Sequence, residues 1–532
     1  MGGPRPRTIL RAIAAIAALL ASAPGCTEGP PPGDAPLSTP PPEAGFIEIE
    51  PVEYTVNGDE ISLVTTSSRA RLFFSFHPAD DHPEDRPLLV LSSGGPGAST
   101  ALLLGGNTAP HTLDPARTNG AKIAENPASW TRFANVLHVD ARGAGFSYGL
   151  AEGMDDEDAR AAELSVRNFN PFLDAADMVR VTLRFLAAHP ELRASDVVLT
   201  GESYAGIRTS IALHMLHHPD RHAAPAGLFV DPALAAEIEA HFDAAGTTAE
   251  TQFDRAVLLQ ARLSSPHQQA AAGAALEATG SILDAVAAET GVPFVRCAGK
   301  PAPCSPFANA LDYLAQTGRD IYDVRRPAGD AFARYAEIGA RLEEPAVMAV
   351  ALGVEPALIP DLPAEAREGA YRLLKAAAEE EPLTPTLGAL SPHDRYFEWE
   401  LFDLLGEPFS GAEAKLYGIE RQHERHGRLF LEDLLDVRFF ITNAAFDAAI
   451  FTPALPEALE MYTDLVASVH MDGEALRVEL WPDAFGAAAA EAREVRFVPY
   501  GAAGHSVSLD EPDALAADLA AWLAEDAPPA GP

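Results

Sequence analysis

One stretch constrains this chain more than any other: Val197-Val198-Leu199-Thr200-Gly201-Glu202-Ser203-Tyr204-Ala205-Gly206. A short apolar run enters a turn of small residues, and apolar residues then recur at helical spacing (Ile207, Ile211, Met215). The pattern predicts a strand, a sharp turn and a helix, which together hold a nucleophilic serine at the top of a sheet. Small residues flank such a serine because the strained turn brings strand and helix backbones close together. The generic pattern has glycine two residues after the serine; here Ala205 takes that place and Gly206 follows. G-x-S-x-[AG] arises often by chance, so the reading depends on partners elsewhere in the chain.

Those partners have expected places. Pro87-Leu88-Leu89-Val90-Leu91 reads as a strand buried on both faces and runs into Ser92-Ser93-Gly94-Gly95-Pro96-Gly97. A glycine cluster there lets a backbone N–H point into a site with no side chain in the way. In α/β-hydrolases one oxyanion-hole donor comes from this loop and the other from the residue after the nucleophile. Gly95 and Tyr204 hold these positions, each donor worth roughly 3 kcal/mol of barrier. The plain alternative for the glycine cluster is a tight turn. Alternating runs from Phe46 to Phe76 read as antiparallel strands turning at Asn57-Gly58-Asp59. The strand Asn135 to Asp140 and the helical pattern Asn168 to His189 alternate as in a mainly parallel sheet wrapped by helices.

The acid and the histidine should follow the serine in chain order. Val437 to Thr442 reads as a strand with Asp447 in the loop beyond it. Glu494 to Tyr500 reads as the last strand, followed by Gly504-His505 in a glycine-flanked loop and a final helix capped at Asp510 and Pro512. Among sixteen histidines, His505 alone has position as well as type; His214, His217 and His218 on the elbow helix read as structural or exposed. Ser203 would attack an acyl carbon, His505 would take its proton and Asp447 would fix the imidazole tautomer. No Cys/His spacing suits zinc, and the chemistry needs neither a metal nor an organic cofactor.

RARLFFSF, PLLVLSSGGPG, NPASWTRFANVLHVDARGAGFSYG and GESYAG, in that order, resemble the serine carboxypeptidase family. IYDVRRP (321–327) and MAVALGV (348–354) are similar to that family's cap region. The proline iminopeptidases share a GGPG loop and an element close to Asp140 to Ser147, but GESYAG and FSY favour the carboxypeptidases. The resemblance implies an α/β-hydrolase fold, a mainly parallel central sheet flanked by helices with a helical cap insertion, acting on peptide substrates. It matches Gly-His-x-Val-x-x-Asp-x-Pro at Gly504, His505, Val507, Asp510 and Pro512. Of the usual Gly-Asp-x-Asp it keeps Asp447 and loses the first aspartate to Ala445. It also implies that the substrate's C-terminal carboxylate is held by an Asn before the double glycine, a helix Glu and the Glu of GESYAG. Here those positions are Ser93 followed by Gly94, Asn107 and the unchanged Glu202. Replacing one acid of a coupled pair by Asn107 should relax acid dependence, so peptide hydrolysis is expected to persist between about pH 5 and 7. Another serine acyl-hydrolase or acyltransferase, or an aminopeptidase, is the alternative enzyme. A surface-anchored binding protein is the non-enzyme alternative, against which the intact Ser203, Asp447 and His505 argue.

Composition bounds the partners. With 77 acidic against 38 basic residues the net charge is −39, which repels phosphate backbones and makes nucleic acid an unsuitable partner. Arg5, Arg7 and Arg11 precede an apolar run from Ala12 to Ala23, of export-signal length and too short to span a membrane comfortably. The run ends in Ala23-Pro24-Gly25-Cys26, which resembles a bacterial lipobox with Cys26 as the lipidated residue; ordinary signal-peptidase cleavage is the alternative. Export to the cell envelope with membrane attachment through Cys26 is expected. Cys297 and Cys304 then remain as a pair for a disulfide in an oxidising compartment, or as two free thiols. The expected organisation is a signal segment (1–26), a proline-rich tether (27–45), the first part of the core (46–224), a helical cap (225–433), the second part of the core (434–526) and a tail (527–532). Within the cap, Thr247 to Arg262 and Ala364 to Glu380 read as amphipathic helices, and Tyr396 to Trp399 as helix core or pocket lining.

Overall fold

The computed structural model describes residues 41–58, 62–149, 167–263, 265–342, 344–354 and 419–525. The signal segment with Cys26, most of the tether, Ala364 to Glu380, Tyr396 to Trp399 and the tail lie outside these residues.

Among the described residues the central sheet has eleven strands, a two-residue strand (Tyr148–Gly149) beside the start of β2 and ten in one path: β1 (Glu43–Ile49), β2 (Ala70–His77), β3 (Leu88–Ser92), β4 (Asn135–Val139), β5 (Val197–Glu202), β6 (Arg255–Leu259), β7 (Arg438–Ala444), β8 (Val466–Asp472), β9 (Ala475–Leu480) and β10 (Arg493–Tyr500). Their spatial order is β1-β2-β4-β3-β5-β6-β7-β10-β9-β8. The middle of the path, from β4 to β10, is parallel, and antiparallel pairs close both edges. Every residue of β3, β4, β5 and β6 is buried, as expected of parallel strands covered by helices on both faces. Since parallel strands share a direction, the loops after β3, β5, β6, β7 and β10 all emerge at one edge of the sheet, where ligands of open α/β sheets bind.

The covering helices are α1 (Pro171–Ala188), α2 (Ala205–His217), α3 (Asp330–Leu342), α4 (Ile419–Asp433) and α5 (Pro512–Leu523). Asn170 caps α1 by accepting from the N–H groups of Phe172 and Leu173, and Pro171 opens the first turn. Helix α1 packs beside α2, which leads away from the serine, and α4 crosses α2 on the same face.

Two sequence expectations change. The stretch Thr247 to Arg262, read as one amphipathic helix of the cap, is a short helix (Ala249–Gln252) followed by β6. The apolar spacing there arose from two elements placed end to end. Arg-Ala-Val-Leu-Leu fills the gap between β5 and β7, so the region 225–433, expected as a helical cap, also gives the central sheet a strand. The strand β1 also begins at Glu43, inside the expected tether, because Glu43 to Gly45 already pair with Phe74 to Phe76 of β2. Within the cap, Cys297 and Cys304 form a disulfide with their Cα atoms 5.6 Å apart.

Candidate active site

Ser203 sits at the turn between β5 and α2 with φ of 60°, a left-handed conformation that a non-glycine residue adopts only when its surroundings enforce it. The enforcement is visible on both sides. A side chain at Gly201 would meet the Ala205 carbonyl oxygen at 2.4 Å, and one at Gly206 would meet Ala261 Cβ at 2.5 Å. Glycine is therefore needed two residues before and three after the serine, while Ala205 is accommodated between them. The Ser203 N–H donates to the Leu259 carbonyl and its own carbonyl accepts from Arg262 N–H, both at 2.9 Å, so the turn is tied to the end of β6.

The glycine loop after β3 lies against this turn: a side chain at Gly94 would come within 2.5 Å of the Tyr204 nitrogen and 2.9 Å of Ser203 Cβ. Neither Gly95 N–H nor Tyr204 N–H has an acceptor among the described residues, as required of donors kept for a developing oxyanion. Buried Arg208, on α2, fixes the loop from behind by donating to the Ser93 carbonyl at 2.9 Å and to Asp174 at 2.8 Å. Asp140 holds it from the side, accepting from Thr100 N–H at 2.7 Å and Phe146 N–H at 2.9 Å. Burial pushes the Asp140 carboxyl up to about 6, against the lowering effect of those N–H donors.

His505 and Asp447 meet in the loops after β10 and β7. His505 Nδ1 donates to Asp447 Oδ2 at 2.7 Å, with Asp447 wholly enclosed. Asp447 Oδ1 accepts from the N–H groups of Ala449 and Ile450, at 2.9 and 3.3 Å. Burial works to lower the His505 pKa, but the Asp447 charge and hydrogen bond and the charge of Glu202 raise it above the ordinary histidine value. Asp510, expected as the cap of the final helix, instead accepts from Gly504 N–H at 2.9 Å, while Glu511 occupies the helix cap. Arg334 donates to the other oxygen of Asp510 at 2.8 Å, so the carboxylate is held at the histidine loop instead of the helix start.

Glu202 is buried next to the nucleophile, and burial pushes its carboxyl up to about 7 despite the lowering influence of His505, Ser93 and Ser506. Ser93 Oγ faces it without a well-aligned hydrogen bond of its own. Asn107 is engaged elsewhere. Its backbone is left-handed at φ 83°, its Nδ2 donates to the Ser508 carbonyl at 3.1 Å, and its Oδ1 is enclosed without a partner. Ser93 and Glu202 are thus brought together, whereas the Asn107 amide donates to the short helix (Val507–Asp510) that follows His505.

Four further residues of the site were not legible from motifs. Gln260, left-handed at φ 44°, donates from Nε2 to Asp447 Oδ2 at 3.1 Å. Arg262 is half-buried beside Tyr204, Tyr322 and Asp447, with no hydrogen-bond or ion-pair partner among the described residues. Tyr335, from α3, hydrogen-bonds Ser506 beside Glu202. Tyr322 stacks obliquely on His505, ring centres 4.9 Å apart, and its carbonyl accepts from His505 N–H at 2.7 Å. The first two follow directly on β6, and their only sequence signal was polar residues after a short apolar run at a strand's C-terminal end.

A strained serine turn, a buried aspartate–histidine pair and free backbone donors, at one edge of a parallel sheet, form the arrangement in which an α/β-hydrolase fold can activate a serine. The chain resembles known proteins over the same elements. The family model described as "Serine carboxypeptidase" (Peptidase_S10) matches residues 60–224. Serine carboxypeptidase 3 of Triticum aestivum is 36% identical over 138 residues, which are 26% of this chain and 24% of the relative. Serine carboxypeptidase S10 family member 1 of Dictyostelium discoideum is 32% identical over 145 residues, 27% of this chain and 31% of the relative. The chain thus spans less than a third of the length of these curated relatives. A prohormone-processing carboxypeptidase of Saccharomyces cerevisiae, Kex1Δp, superimposes with a TM-score of 0.51 at 14% identity, covering 91% of each chain, and so shares the fold.

Proposed function

We propose that this chain is an exported serine-type carboxypeptidase that removes residues from peptide C-termini. Ser203 Oγ attacks the carbonyl carbon of the last peptide bond while His505 accepts its proton, and Gly95 and Tyr204 N–H groups stabilise the oxyanion. The C–N bond breaks as His505 passes the proton to the departing amino acid. Water, deprotonated by His505, then hydrolyses the acyl ester and restores Ser203.

The observation that carries the reading is Glu202. A buried carboxyl beside the nucleophile, with its pKa raised to about 7, is protonated in mildly acid solution and can donate a hydrogen bond to a substrate carboxylate. A hydrolase of neutral esters gains nothing from such a group. The test uses peptides blocked at one end, followed by mass spectrometry. Loss of residues from an amino-blocked, carboxyl-free peptide is expected, with a carboxamide version resistant. Trimming only from a free amino end would instead make the chain an aminopeptidase, and failure of a fluorophosphonate to label Ser203 would make it a binding protein.

The charged and apolar segments before Cys26 support export with a lipid anchor in the cell envelope. Replacing Cys26 by Ser should release the protein from membranes; retention there would overturn the anchor.

A further inference from the structure

The elbow helix ends in a histidine cluster that hydrolysis does not use. His214 lies on α2 roughly 15 Å along the helix from the serine turn. His218 caps the same helix one turn later, and Glu432 reaches in from the last turn of α4. One ring nitrogen from each histidine and one Glu432 oxygen lie within 4.8 Å of one another. His214 Nε2 stands 3.5 Å from Glu432 Oε2. Ligands about 2.0–2.1 Å from a tetrahedral zinc ion are spaced about 3.4 Å apart, so this edge is already at the required span.

The hydrogen bonds around the cluster determine which nitrogen is free. His222 Nδ1 donates to the Phe229 carbonyl at 2.9 Å, leaving His222 Nε2 as an acceptor. That nitrogen lies 3.0 Å from His214 Nδ1, which therefore carries the proton. In neutral His214 the Nε2 lone pair is thus directed at the Glu432 carboxylate 3.5 Å away, and two acceptors facing each other need either a metal ion or a second proton on His214 between them. Both His214 Nε2 and His218 Nε2 are enclosed with no hydrogen-bond partner, while Arg221 takes the other oxygen of Glu432. A ligand histidine usually donates its other N–H to a carboxylate, carbonyl or water; here His222, itself held by the Phe229 carbonyl, takes that place.

Against the sequence expectation that no spacing suits zinc, we propose that His214 and His218, four residues apart, form with Glu432 a divalent transition-metal site, zinc being the ion best suited to two imidazoles and a carboxylate. Water completes the tetrahedron. The ion pins α2, which follows Ser203, to α4, which leads into β7 and the loop of Asp447. With three protein ligands and a water the site is open in the manner of exchangeable zinc sites; it lies away from Ser203 and tethers two helices, and the proposal stands apart from the hydrolytic reading.

The test takes the untagged full chain, strips it with a chelator and titrates it with zinc chloride, reading bound metal by mass spectrometry and the thermal midpoint. One zinc per chain and a Tm rise of about 4 °C are expected. His218→Gln and Glu432→Gln should lose both responses. Cobalt added to the stripped wild-type chain should give the visible absorption of a tetrahedral ion, a readout independent of whether the variants fold. The proposal is overturned if the wild-type chain takes up no stoichiometric zinc at micromolar concentration, or if both variants bind it unchanged.

Discussion

Gln260 and His505 donate to the same oxygen of Asp447, at 3.1 and 2.7 Å. Gln260 Oε1 is anchored in turn by Ala444 N–H and Thr452 Oγ1, both at 2.9 Å, so the amide cannot turn away. Its job is to hold the aspartate that holds the histidine. Gln260→Ala should lower kcat about tenfold with little change in KM, and cost about 2–3 kcal/mol of stability through the buried groups it leaves unpaired. Steady-state kinetics and urea unfolding measure the two effects, and an unchanged kcat would remove Gln260 from the catalytic support.

Glu202 and His505 should shape the pH profile together. Hydrolysis needs His505 neutral, so kcat/KM rises as pH increases through its raised pKa. Carboxylate binding needs Glu202 protonated, so kcat/KM falls again as pH passes about 7. The groups interact, and the limbs belong to the pair. Glu202→Gln removes the proton that sets the alkaline limb and the negative charge that raises His505. The alkaline limb should therefore disappear and the acid limb move to lower pH. A profile of the same shape in the variant would refute a carboxylate-binding Glu202.

The elbow, the glycine loop, Asp447 and His505 were legible because each combines a special backbone requirement with a fixed place after a strand. Gly201 and Gly206 are dictated by contact distances, and their spacing is visible in a string of letters. Arg255–Leu259 was not, because five residues of strand inside an alanine-rich region give no period long enough to separate from a helix. Missing that strand hid Gln260 and Arg262, which lie at the site only because β6 sits between β5 and β7. Asn107 shows a different limit. Alignment with a ligand-binding position says nothing of where an amide donates, and here it donates to Ser508.

Arg208 joins the nucleophile's helix to the oxyanion loop through Ser93 and to α1 through Asp174, with its guanidinium buried. Burial already raises the Asp174 carboxyl, and Arg208 is the largest influence lowering it. Arg208→Met should therefore destabilise the fold by about 3–5 kcal/mol, because a buried carboxyl loses its partner. The double variant Arg208→Met with Asp174→Leu should recover much of that loss in urea unfolding. No recovery would mean that the Ser93 carbonyl, and not the ion pair, is what Arg208 stabilises.

The Arg262 guanidinium lies beside Asp447 with no hydrogen-bond or ion-pair partner among the described residues, and its charge lowers the His505 pKa. Burial in turn lowers the pKa of Arg262 itself. Two consequences have definite signs. Arg262→Gln breaks no side-chain hydrogen bond or ion pair among the described residues, so stability should hold, as expected when a half-buried, unpaired charge is removed. Without the cation His505 titrates higher, and the acid limb of kcat/KM moves to higher pH, opposite to the shift in Glu202→Gln. The two variants thus push one limb in opposite directions from opposite charges. Profiles measured on one amino-blocked peptide decide the matter: an Arg262→Gln limb that stays put or moves down would show that the guanidinium does not act on His505.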